Sequence, residues 1–412
     1  MGLVETLERL RALEMTNPER PAPFISDEPK TPAYLTFPGN SAQNKYKWLE
    51  ECYGQGYDPD DILARIKSIG EALERLSLYN PVGKATETRQ YEAKAGMIDP
   101  ALFRTHAEPS QQRLIEWETH ARESPLRWWP VTSARDGTDY LIPAQLLFLS
   151  PEFDAEFPLR LERISTGAAF GELGTDRALT SGLMESVERH ATMSTYLLDQ
   201  EVTRILAPPV NVSEYATYLQ RYELETHLFD VTQSNDIPTV MAIVLDRTGI
   251  GPAVNIGSRS SLEYTSATMG ALLESVHCRR TARLMRFTHF PDELPGPDKI
   301  HSMDDRFYHW YTPDKIEELE RWLKTGREIA FDKLPTKKLT LQESFNNVLA
   351  DNADIYIADI SLPEFIANGF ETRKVVIPQY MPLYLDERAK ATRCIIHGDI
   401  PTTTARGPHP FT

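Results

Sequence analysis

The chain has 412 residues, too many for one small domain, and its 41% hydrophobic and 25% charged residues are those of a folded protein with ample core. A net charge of −16 excludes a basic surface for nucleic acid, although carboxylates can still hold a phosphate ligand through a divalent cation. The longest apolar runs, such as residues 141–149, are too short to span a bilayer, and the amino terminus lacks a signal peptide's basic start and apolar run, so a cytoplasmic protein without membrane contact is expected.

Leu3, Leu7, Leu10 and Leu13 form one stripe and predict an amphipathic helix over residues 3–14. Six prolines from Pro18 to Pro38 predict an extended segment lying across the surface, with a first strand at residues 34–37. Asp58 as N-cap, Pro59 in the first turn, and Asp60 and Asp61 near the positive end open a helix that runs to Tyr79, where Asn80-Pro81 stops it. Residues 82–124 carry little pattern beyond a helix over 114–123. Between 126 and 149, two β-rich runs flank Asp136-Gly137, a hairpin signal. Small residues after Arg160 lead to Thr175 as N-cap of a helix reaching Leu198. A helix over 213–225 and strands over 227–232 and 239–246 follow. A small-residue strand then leads through Ser260 or Ser261 into a further helix. Helices over 315–326 and 344–353 precede β-runs at 354–360 and 372–381, and the end from Pro401 is irregular. The three cysteines, Cys52, Cys278 and Cys394, lie far apart in no metal-ligand spacing and read as ordinary thiols.

Three of these stretches are versions of one another: KSIGEALER (67–75), SGLMESVER (181–189) and GALLESVHC (270–278). Each sets a glutamate in an apolar run, and the first two add a second glutamate three residues on, followed by an arginine. Positions i and i+3 share a helix face, so Glu71 with Glu74 and Glu185 with Glu188 are stacked like charges that weaken a helix unless something positive lies between them. One such pair is ordinarily a solvated acidic face. Three copies among Leu, Ile, Met and Ala point instead to a shared carboxylate site for a hard cation. Each arginine has two readings, a phosphate contact or an ion pair within its own helix. The spacings, 114 residues from Glu71 to Glu185 and 89 from Glu185 to Glu274, are too long and irregular for a solenoid and predict an α+β body whose related helices converge on one pocket beside β-sheets.

Taken in order, these stretches resemble the YcaO-domain family, over roughly residues 34 to 412. GQGYDPDDILARIKSIGEALER resembles its Gly-x-Gly-aromatic segment and E-A-x-E-R helix. ISTGAAFGELGTDRALTSGLMESVERHA resembles its S-T-G-x-A-x-G stretch and the following E-x-x-E-R helix, and LLESVHCRR its third motif, where a glutamine commonly stands at the place of His277. The strand YLIPAQLLFL resembles the one that precedes S-T-G in many members, and GPHPFT the proline-rich tail of members that act on peptides. The resemblance implies an amino-terminal helix and extension over 1–33, an ATP-binding catalytic domain over 34–400 and a tail over 401–412.

It also implies ATP and Mg²⁺ as cofactors. Glu71, Glu74, Glu185, Glu188 and Glu274 would hold the metal, while Arg75, Arg189 and Arg279 would meet phosphate or orient carboxylates; Arg189, Arg279 and the terminal Thr412 are the expected catalytic groups. The sequence departs from the family at Lys67, where serine is usual with Ser68 beside it, and at Ala169, Glu172 and Arg177, where serine, asparagine and an acidic residue are usual. Lys67, Ser68 and Glu172 are therefore expected to take over nucleotide contacts in a remodelled site. No Walker loop is present, so phosphate binding falls to these helices. The implied activity is ATP-dependent cyclodehydration of Cys, Ser or Thr in a precursor peptide. The expected partners are that peptide and a separate leader-binding protein, with a homodimer left open. The alternatives are thioamide formation with external sulfide, or a non-catalytic scaffold subunit.

Overall fold

A computed structural model describes residues 2–83, 88–105, 110–288, 290–323, 326–400 and 407–411. The chain forms two compact units. The first comprises Met1–Phe24, Lys30–Ser186 and Ala353–Gln379, and the second Ile25–Pro29, Val187–Asn352 and Tyr380–Thr412.

In the first unit, strands Asp139–Pro143, Trp128–Ser133, Tyr356–Asp359, Phe370–Val376 and Ala168–Glu172 pair in that order into an antiparallel sheet. The hairpin expected at Asp136-Gly137 is present, with Gly137 at φ +71°. A smaller sheet joins Arg20–Pro21, Ala33–Thr36 and Gly54–Tyr57. On it lies the first glutamate helix, Asp61–Tyr79. Alternating apolar residues bury one face of this helix, including Ile69, Leu73 and Leu76, against Leu7, Leu10, Phe365 and Phe370. The approach is close, because a Cβ at Gly56 would overlap the carbonyl oxygen of Ala64. The expected cap is displaced: Asp60, not Asp58, accepts from the N–H groups of Ile62 and Leu63, at 2.8 and 3.1 Å. Asp58 instead accepts from the Asp60 N–H at 2.9 Å, so its carboxylate closes the preceding turn.

The second unit is built on a sheet ordered Val254–Ser260, Thr239–Asp246, Leu224–Asp230, Thr203–Leu206, Arg327–Ala330. Its last pair is parallel and the rest antiparallel. Every residue of Thr239–Asp246 is buried, as its continuous apolar run predicts. The third glutamate helix, Tyr264–Thr288, packs on Val254–Ser260, where a Cβ at Gly257 would overlap the backbone of Ala271 and Ser275. The helix expected over 213–225 lies at Val210–Gln220, and residues from Leu224 belong to a strand. The proline-rich segment expected to lie on the surface dips into this unit at Glu28, which is 3% exposed and bonded to Arg279. Burial raises the Glu28 carboxyl, opposed by the Arg279 and Arg283 guanidinium groups.

Candidate active site

In the first unit the structure brings Glu71, Glu74 and Glu185 together. Glu71 accepts from the Gln55 N–H at 2.6 Å and from Arg75 Nη2 at 2.7 Å, so Arg75 makes the intrahelical ion pair. Glu185, on the helix Arg177–Leu197, accepts from the Gly167 N–H of the S-T-G turn at 2.9 Å. Glu74 lies between them. Its carboxyl is pushed well above the usual range, first by desolvation and then by the charges of Glu185 and Glu71. Carboxylates are the donors a hard cation takes, and the charge that penalises Glu74 would be relieved by one.

Lys374, on the strand Phe370–Val376, is a member of this cluster that the sequence reading missed. It is 1% exposed and donates to the carbonyls of Leu147 and Ile164 at 3.0 and 2.8 Å. Burial lowers its ammonium to about 7, with Arg160 pushing the same way and Glu185 and Glu74 opposing. A lysine inside the run TRKVVIP was the available signal, since lysine is rarely buried unless paired.

The residues expected to replace family positions are placed as follows. Lys67 is exposed and donates to Asp58 Oδ2 at 2.6 Å. Ser68 is instead fully buried, its hydroxyl shared by Thr36 Oγ1 at 2.8 Å and the Arg65 carbonyl at 2.9 Å, so it presents no surface to a ligand. Glu172 is half-buried and ion-paired with Arg9.

In the second unit, Glu188 lies one turn beyond Glu185 on the same helix and is 2% exposed. The Ser258 hydroxyl donates to its Oε1 at 2.9 Å and the Ser260 N–H to its Oε2 at 3.3 Å. Two residues of the strand before the third glutamate helix thus fix this carboxylate, a pairing no spacing revealed. Glu274 is half-buried; its Oε2 is buried without a hydrogen-bond partner, and Arg259 Nη2 stands 3.6 Å from it. Arg279, expected to meet phosphate or orient carboxylates, is buried and donates to both oxygens of Glu28, to Asp246 Oδ2 and to the Pro252 carbonyl, all at 2.8–3.0 Å. Arg189 is half-buried on the helix that carries both Glu185 and Glu188. Thr412 lies outside the described residues.

These helices, in this order, match the family model described as YcaO cyclodehydratase, ATP- and Mg²⁺-binding, over residues 54–381. The chain belongs to the YcaO family. Membership makes this YcaO protein an ATP-dependent, Mg²⁺-binding enzyme. No protein of curated function matches its sequence. Its fold is similar to that of a heterocyclase solved in complex with substrate and cofactor, with TM-score 0.71 and 16% identity over 93% of this chain and 53% of that one. The chain thus spans about half the length of that heterocyclase. It is also similar to the YcaO protein of Methanopyrus kandleri bound with AMPPCP and Mg²⁺, with TM-score 0.69 and 17% identity over 99% of this chain and 96% of that one. A third likeness is to the E. coli microcin synthetase McbBCD complex, solved without and with pro-MccB17. The TM-scores are 0.61 and 0.60, at 13% identity over 88% of each chain.

Two further properties bear on the site. Among the described residues, no helix is long and apolar enough to cross a membrane. One group of soft ligands, His190, Cys394 and His397, has ligand atoms within 4.8 Å of one another. The Met381 N–H donates to His190 Nδ1 at 3.0 Å, which leaves the ring proton on Nε2 and no lone pair there for a metal.

Proposed function

We propose that this YcaO protein uses ATP to activate backbone amides of a ribosomally made precursor peptide, closing Cys, Ser or Thr side chains onto the preceding carbonyl to give thiazolines or oxazolines. The observation that carries this reading is the cluster of Glu71, Glu74 and Glu185, in which desolvation first and the charges of Glu185 and Glu71 next raise Glu74, in a chain of an ATP- and Mg²⁺-binding cyclodehydratase family. The peptide thiol or hydroxyl adds to the amide carbon, and the former carbonyl oxygen takes the γ-phosphoryl group. Phosphate then departs with that oxygen as the ring C=N forms and the amide N–H proton is lost. ATP with Mg²⁺ supplies the phosphoryl group that turns this oxygen into a leaving group.

The chain's own part is binding and charge neutralisation. Glu71, Glu74, Glu185, Glu188 and Glu274 would hold the cations. Arg75 orients Glu71, and Ser258 with the Ser260 N–H orients Glu188. Lys67, Glu172 and Arg189 would meet the nucleotide. Ser68 and Arg279 act from behind, Ser68 by tying its helix to Thr36 and Arg279 by anchoring the third glutamate helix to Glu28 and Asp246. A separate protein would grasp the leader of the peptide, as the multi-component McbBCD relative suggests.

The test is reconstitution with ATP, Mg²⁺, precursor peptide and the leader-binding partner encoded nearby, followed by mass spectrometry. The expected result is loss of one water per ring, with ATP consumed in step. A product that gains sulfur only when sulfide is added would replace cyclodehydration by thioamide formation. A scaffold role draws on the departures at Ala169, Glu172 and Arg177, with Glu172 tied to Arg9. ATP turnover that fails to rise with peptide would select it.

A further inference from the structure

The carboxyl-terminal segment Gly407–Phe411 is gripped in the second unit through its backbone. Arg306, on the helix Met303–His309, is fully buried. Its Nη1 donates to the His409 carbonyl at 2.6 Å, while Nη2 donates to the Leu385 carbonyl at 2.7 Å and Glu387 Oε1 at 2.9 Å. The Tyr196 hydroxyl reaches the carbonyls of Gly407 and Pro408 at 3.2 and 3.3 Å. Pro408 and Pro410 have no N–H, so this stretch is rich in acceptors, and Arg306 and Tyr196 are donors matched to it. His409 is fully buried, and its Nε2 lies 2.8 Å from the Tyr384 carbonyl and so carries the ring proton; Nδ1 accepts from the Phe411 N–H at 3.3 Å. Phe411 completes the core with Tyr196 and Trp322.

Tyr196 brings this grip to the helix that carries Arg189. Tyr196 is seven residues after Arg189, two turns along the same face. The Arg189 charge reaches His409, where burial first and Arg306 next keep the ring neutral.

We propose that Arg306 is a positioning residue that, with Tyr196, locks the tail against the helix face bearing Arg189. This rests on the reading of the tail as part of a peptide-modifying site. Arg306 would act through the tail rather than touch substrate: its buried guanidinium is bonded through both Nη atoms, and without the His409 carbonyl Nη1 would lose its acceptor.

The test uses the full chain as Arg306→Leu, Arg306→Lys and the double variant Arg306→Lys with Tyr196→Phe. Carboxypeptidase release of terminal residues is followed by mass spectrometry, and thermal shift with AMPPCP and Mg²⁺ serves as the fold control. Arg306→Leu should release the tail about tenfold faster or more while the nucleotide shift is unchanged, and Arg306→Lys should restore part of the protection. Equal release from wild type and Arg306→Leu overturns the proposal. Should Arg306→Leu fail to fold, the double variant decides in the same way. With precursor peptide and partner present, Arg306→Leu should lower kcat about tenfold at unchanged KM for ATP and add nothing once residues 408–412 are deleted; an additive loss overturns the positioning role. If no form modifies peptide yet tail release still depends on Arg306, the cyclodehydratase reading fails and the grip on the tail stands.

Discussion

Ser258 donates its hydroxyl hydrogen to Glu188 at 2.9 Å, and the Ser260 N–H holds the other carboxylate oxygen, so this glutamate is aimed by the strand that precedes the third glutamate helix. Glu188→Gln keeps the side chain's size and can still accept from Ser258, but it removes the charge a cation needs. ATP turnover should fall by about a hundredfold or more with the fold retained. Ser258→Ala should cost about 1–3 kcal/mol of stability, because it strips a donor from a buried carboxylate. Turnover and urea unfolding, measured on the same preparations, separate the two effects. A Glu188→Gln protein that unfolds while its folded fraction keeps wild-type turnover would make the pair structural.

The glutamate helices were legible because their signal is local: apolar residues at helical spacing, stop signals at Asn80-Pro81, and a repeated E-x-x-E-R. The cap of the first helix was misplaced by two residues because three aspartates compete there, and only the backbone decides that Asp58 closes a turn while Asp60 caps. Glu28 and the serines at Glu188 depend on partners far away in sequence, so no window of the chain reveals them. The motif assigns Arg279 to phosphate or to carboxylates, and only the fold shows which carboxylate it holds, Glu28, 251 residues away. The Thr340–Glu343 capping box was written in the sequence as T-x-x-E and went unread; it starts Leu341–Ala350 three residues before the expected helix.

Mg²⁺ and nucleotide should bind together. Desolvation first and the charges of Glu185 and Glu71 next penalise the Glu74 carboxylate, and a nucleotide alone adds further negative charge. Thermal unfolding with ATP, with Mg²⁺, with both and with neither should show a joint shift larger than the sum of the separate ones. It should amount to about 2.7 kcal/mol when the complex is present at a hundred times its dissociation constant. Absence of any joint shift at millimolar ligand would remove the carboxylate site as a nucleotide site.

His190 gives the second unit a defined response to acid. The ring is fully buried, stacked on Tyr380 at 4.0 Å, and held to about 3 by burial first and the His397 ring next. Its folded value lies below the unfolded one, so the unfolded chain binds the extra proton. The stability this difference gives is complete above about pH 6.5 and is lost as the pH falls toward the folded value. His190→Asn keeps an acceptor for the Met381 N–H but does not titrate. Between pH 6 and pH 4, the stability of wild type relative to this variant should fall by about 1.4 kcal/mol per pH unit. A difference that stays flat across that range would mean that His190 charges freely in the folded protein.

Deletion of residues 408–412 divides the roles most sharply. A frayed end would be dispensable, but here Pro408, His409, Pro410 and Phe411 are buried, and Phe411 packs against Tyr196 at 5.8 Å. Truncation therefore exposes aromatic core and leaves Arg306 without the His409 carbonyl, a loss of about 1–3 kcal/mol. Nucleotide binding should persist, since Glu71 is held by Gln55 and Arg75, and Glu185 by Gly167, in the first unit. Peptide modification should fall severely, and a carboxyl-terminal tag, which moves the terminal carboxylate beyond Thr412, should do similar damage with a smaller change in stability. The measurement is product mass from full-length, truncated and tagged forms, beside their AMPPCP–Mg²⁺ thermal shifts. Equal product from all three would reduce the tail to a structural plug, because a buried segment that only fills core needs no free end.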